Sequence, residues 1–160
     1  TMHYKAILLI VSCIFSSSVL SESWAEFLKK DLSYKYQALN VKVDACSKLR
    51  ESFVLKPIKS DWFGTLTDQQ KKDVILFASD YASKQCYKLE ELSFSNALLR
   101  YTAETGDKEL LDNWLGLNKS NKYTIEGVDS VGAENVIEFI NQEFTQPFQP
   151  IELIKYLKLY

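Results

Sequence analysis

The side chains of this chain that could carry chemistry are few: three cysteines, one histidine and 21 acidic residues. Glu134 and Glu138 stand four apart and so share one face of a helix; Glu90 and Glu91 lie beside Lys88. Two carboxylates in a cleft can hydrolyse a glycosidic bond, one as acid and the other as base or nucleophile. The same spacing also describes a solvated helix surface, which 21 acidic residues produce by chance. His3 is the only imidazole, and it lies in the first few residues. If that segment is removed, a Ser-His-Asp or Cys-His arrangement and His-ligated zinc or haem are excluded. No Ser-x-x-Lys, phosphate-binding glycine loop or spaced acidic calcium loop occurs. No cofactor and no metal site is expected.

The first residues do read as removable. Lys5 precedes an uncharged apolar run, Ala6 to Phe15, and a small-residue end at Val19-Leu20-Ser21. That is the pattern of a cleavable export signal, 1–21, and the run is well short of the roughly 20 residues a spanning helix requires. A competing reading is a lipoprotein signal, since Ile10-Val11-Ser12-Cys13 resembles the box before a lipidated cysteine. An uncleaved anchor is the third. The brief leader with one lysine suggests a bacterial source and a periplasmic or secreted destination. No membrane insertion is expected after cleavage, apart from a lipid anchor at Cys13.

Cleavage leaves residues 22–160, enough for a single helical domain. Loss of Lys5 takes 19 basic residues to 18 against 21 acidic ones, a net charge of −3. The longest basic runs are pairs, Lys29-Lys30 and Lys71-Lys72, so no concentrated basic face exists to displace counterions from nucleic acid. Cys46 and Cys86 remain, forty residues apart. In an oxidising compartment they are expected to bridge, which in the loop-entropy account contributes roughly 3 to 4 kcal/mol.

The elements that must hold these residues are helical throughout. From Ser23 to Phe53 apolar residues recur every three or four positions, through Trp24, Leu28, Leu32, Tyr36, Leu39, Val43, Cys46 and Leu49. This predicts one helix of about thirty residues by that spacing. Residues 54–66 form a connection with Pro57, Gly64 and the aromatic pair Trp62-Phe63. Thr67-Asp68-Gln69-Gln70 fits a capping box that opens a second helix carrying Ile75, Ala78, Ala82, Cys86 and Leu89. Both cysteines then lie on core faces, offset along their helices by roughly 18 Å, which the connection can absorb by running back along the first helix. Ser93-Phe94-Ser95-Asn96 predicts a break before a third helix, Ala97 to Glu104, that Gly106 ends. Asp107 caps a short fourth with Leu110, Leu111, Trp114 and Leu115. Residues 116–132 read as a loop with an extended piece at Tyr123 to Val128. A fifth helix spans about Ala133 to Phe144, and Pro150 starts a last one to Tyr160. The expected fold is all-α, a compact bundle of about five to six helices with a long disulfide-linked helical pair.

Aromatic residues supply the remaining candidates. Trp62 and Phe63, in a connection rather than on a helical stripe, either plug the bundle or project into a protein partner; they are the candidate partner-binding residues. The terminal Leu153, Ile154, Tyr156, Leu157 and Tyr160 form either a docked helix or a contact surface. Asn118-Lys119-Ser120 fits a glycosylation acceptor in a eukaryotic host. Three functions stay open: non-enzymatic binding of another macromolecule, as an envelope or secretion-complex accessory or an immunity-type inhibitor; a carboxylate-dependent glycan hydrolase; or a carrier of an apolar small molecule. Two facing carboxylates would favour the hydrolase, an enclosed apolar cavity the carrier and a flat apolar patch the binder.

Overall fold

The stripe that begins at Trp24 forms one uninterrupted helix, α1, Trp24–Glu51. Ser23 caps it: its hydroxyl accepts the Glu26 amide at 3.2 Å, and the Glu26 carboxylate accepts the Ser23 amide at 3.0 Å. This computed structural model describes residues 23–119 and 122–160. The expected leader at 1–21, with His3 and Cys13, lies outside the described residues, as does Ser120. Six more helices follow among the described residues: α2 Asp61–Thr65, α3 Asp68–Thr105, α4 Glu109–Leu117, α5 Lys122–Asp129, α6 Ala133–Glu143 and α7 Pro150–Tyr156. The fold is all-α, with seven described helices where the sequence spacing predicts six: α2 and α5 are added, and the expected second and third helices are one, α3.

Three differences from expectation have clear causes. The break at Ser93–Asn96 does not occur, and α3 runs on to Thr105. Phe94, Ala97 and Leu98 are buried against α1, and such packing outweighs the weak helix preference of serine and asparagine. The departure from helical dihedrals falls instead at Tyr87, directly after Cys86. The second difference is α5, which occupies the whole of the expected extended piece, Tyr123 to Val128. Gly127 lets it approach α3: a Cβ there would lie 2.7 Å from the Asp73 Cβ. Third, the connection does not run back along α1. Cys46 lies near the end of α1 and Cys86 deep in α3, so the chain must continue past α1 by about 20 Å to reach Thr67.

The capping box at Thr67 forms as expected, with Gln70 amide to Thr67 Oγ1 at 3.3 Å and Thr67 amide to Gln70 Oε1 at 3.0 Å. Gly106, at φ 74°, ends α3 in the left-handed conformation that glycine adopts without penalty. Asp107 accepts the Glu109 amide at 3.1 Å, although the backbone cap of α4 is Lys108. The C-terminal segment docks: Leu153 and Leu159 are buried, while Tyr156 and Tyr160 stay exposed. α7 stops at Tyr156.

The described residues form two apolar cores. One surrounds the first half of α3 and joins Phe63, Ile75 and Ala78 to Phe139, Ile140, Phe148 and Leu153. The buried Ser79 hydroxyl donates to the Phe148 carbonyl at 3.0 Å and ties the α6–α7 link to α3. The other lies between α1, the second half of α3 and α4, with Leu32, Leu39, Phe94 and Leu98 inside. Trp114 and Leu111 of α4 pack on its edge.

Candidate functional site

Cys46 and Cys86 are joined, with their Cα atoms 6.1 Å apart. The bridge crosses from α1 to α3 between the two cores and takes both sulfurs out of nucleophilic use. Beside it lies a groove lined by Ser47, Arg50, Asp80, Ser83 and Tyr87 together with the apolar Val43 and Leu76. Burial, followed by the charges of Glu91 and Asp80, raises the Tyr87 phenol above its ordinary value.

Trp62 and Phe63 lie on α2, a single helical turn inside the connection, where Ser60 Oγ accepts the Phe63 amide at 3.2 Å. Phe63 is 5% exposed and stacks on Phe139, ring centroids 4.9 Å apart. Trp62 is half-buried, its ring 5.6 Å from the same Phe139. The pair therefore seals the first core, and Phe63 presents no surface to a partner.

Glu134 and Glu138 line a shallow surface depression whose whole lining belongs to α6. They stand side by side on one helix, and Gln142 donates to Glu138 at 3.0 Å. Neither faces the other across a cleft, the arrangement glycoside hydrolysis requires. A cavity of about 670 Å³ lies between residues 52–59 and 142–146. Its carboxylate, Glu143, accepts the Lys59 amide at 3.0 Å. Among the described residues no three potential metal ligands cluster, and no helix is long and apolar enough to cross a membrane.

A strongly apolar concavity lies at the other end of the molecule. The turn at Gly106 sends α4 back against α1 and α3, leaving a groove of about 380 Å³. One face of α1 supplies Lys29, Leu32, Ser33 and Tyr36; Phe94 forms the floor; α4 contributes Leu110, Asn113, Trp114 and Leu117. Phe94 meets Trp114 edge-on at 4.8 Å and Tyr36 at 5.5 Å. These contacts hold three rings in fixed relation, at a gain of about 0.5–1.5 kcal/mol per pair beyond area burial. Asn118 Nδ2 donates to the Trp114 carbonyl at 2.9 Å and finishes the helix end beneath the groove.

α4 has no fully buried residue, and Leu117 is 82% exposed. Lys29 places a cation at the lip. Such a site can take up apolar side chains and pair with an acidic flank. Spacing alone predicts a short helix that carries Leu110, Leu111, Trp114 and Leu115, and points to no groove. The signal available in the sequence was density, because Leu110, Leu111, Trp114, Leu115 and Leu117 are too many for one face of nine residues. Compared with protein-family models, with curated proteins and with solved structures, the chain shows no match.

Proposed function

We propose that this is an exported, non-enzymatic protein that acts by binding a protein partner, as an accessory of an envelope or secretion complex or as an immunity-type inhibitor. The observation that supports this reading is the open aromatic groove between α1 and α4, with Trp114, Tyr36 and Phe94 around it and Leu117 projecting beside it. An amphipathic segment laid in such a groove anchors through a few apolar side chains. An acidic residue on that segment would meet Lys29. Tryptophan and tyrosine dominate interface energetics when desolvated, at 2 kcal/mol or more on truncation.

Co-purification from the native host with wild type and with Trp114→Ala, Leu117→Ala tests it. A partner held by wild type should be lost from the folded double variant, by roughly thirtyfold or more in affinity. Retention of that partner would remove the groove from the interface. Glycan turnover that disappears on Glu134→Gln or Glu138→Gln would replace binding with hydrolysis.

An apolar small molecule is the second reading, because the groove volume falls in the range of ligand sites, about 300–1,000 Å³. Titration of the wild type with a fatty acid, followed by tryptophan fluorescence, separates the two. Saturable quenching at one equivalent, abolished by Trp114→Phe, favours the carrier.

A further inference from the structure

Along α3 one stripe recurs in steps of three and four residues, interrupted between Ala82 and Leu89 by the exposed Gln85 and by the departure from helical dihedrals at Tyr87. Its first members, Ile75, Ala78 and Ala82, are buried in the core that α5, α6 and α7 complete. The stripe continues through Leu89, Leu92, Asn96, Leu99 and Ala103, and there it is bare. Leu89 is 78% exposed, Leu92 52% and Leu99 53%. At 3.6 residues per turn these side chains lie opposite Phe94 and Leu98, which face the second core. α3 is thus apolar on two sides over its second half, and only one side is covered by the described residues.

We infer that a second copy of this chain covers the other side, packed antiparallel about a two-fold axis at Asn96. Steps of three and four are the seam of a helix pair, and a polar residue within such a seam selects its partner and register. A lone amide buried among leucines would lose its hydrogen bonds, whereas a second Asn96 supplies both a donor and an acceptor. Pairing about Asn96 sets Leu92 against Leu99 and the large Leu89 against the small Ala103. The direction follows from the fold. α5–α7 already occupy the start of the stripe, so two parallel copies would force these blocks into the same space. An antiparallel copy ends near Leu89 instead.

Charge agrees. Lys88 comes level with Glu104 and Arg100 level with Leu92, so no like charges meet across the seam. Burying both stripes removes on the order of 1,000 Å², the lower limit for a specific interface, which implies a reversible dimer rather than an obligate one. The groove beside Trp114 uses the opposite face of α3, so partner binding and self-association are lost by different substitutions.

Sedimentation velocity of the disulfide-bonded chain from roughly 10 µM to roughly 1 mM should show monomer giving way to dimer. Leu92→Glu with Leu99→Glu, at exposed positions that leave helical circular dichroism unchanged, should remain monomeric throughout. Asn96→Cys sits on the axis and should link to its own counterpart on mild oxidation. Leu92→Cys should not, because two copies of residue 92 would stand roughly 12 Å apart. A wild type that stays monomeric over the whole range overturns the proposal, as does a dimer that survives the two glutamates. Self-linking at Leu92→Cys equal to that at Asn96→Cys would overturn the antiparallel seam.

Discussion

The two ends of α3 treat their apolar residues in opposite ways. Around its first half, Phe139 and Phe148 are almost wholly excluded from water, and the chain folds α2, α5, α6 and α7 over them. Around its second half the core is a thin layer of Leu32, Leu39, Phe94 and Leu98, while Leu89, Leu99, Leu110 and Leu117 face outward. The first end has spent its helices on closing itself. The second has two long helices and one short one, too few to cover what it presents. The apolar area left exposed around the second half is the ground for the partner binding and self-association proposed above.

The contrast can be broken most strongly in the closed end. Phe148→Ala should cost about 3–5 kcal/mol in denaturant unfolding, since the ring is buried on all sides and touches Phe144 and Phe53. Leu117→Ala, at the open end, should stay within about 0.5 kcal/mol. Comparable losses at the two sites would mean that the ends are not different.

Next in size is the bridge between them. Cys46→Ser with Cys86→Ser should lower stability by about 2–5 kcal/mol. The loss should appear in hydrogen exchange chiefly in α1 and the second half of α3, where less packing remains. Loss spread evenly over α5–α7 would show that the cores are not separable.

Thr67→Ala removes a capping box at the start of α3 and should cost about 1 kcal/mol, read as a shift in the unfolding midpoint. Smallest is the alkaline effect of Tyr87. The folded chain keeps this phenolic proton where the unfolded chain releases it, because burial first and then Glu91 and Asp80 disfavour the phenolate. Its contribution is therefore complete below about pH 10 and is lost as pH rises through the raised value. Unfolding midpoints at roughly pH 9 and pH 11 should differ less in Tyr87→Phe than in wild type.

Trp62 and Phe63 show why a site is harder to read than a helix. Their position in a connection, away from any stripe, is equally compatible with a plug and with an anchor. Only the approach of α6, which brings Phe139 against both rings, distinguishes them. Trp114 serves both purposes at once: on a helical stripe, it packs on the edge of the second core and also lines the groove, which spacing by itself does not reveal.

Local physics in the chain determined the all-α class, the extent of α1, the capping box at Thr67, the left-handed end at Gly106 and the facing of Cys46 toward Cys86. Each depends on periodicity, a hydrogen bond within four residues or a single backbone conformation, so neighbouring residues suffice. The continuity of α3 through Ser93–Asn96, the helix at Lys122–Asp129 and the choice of which aromatics face water were decided by tertiary packing. Those outcomes turn on contacts between segments tens of residues apart, whose apolar burial exceeds the few tenths of a kcal/mol that local preference supplies.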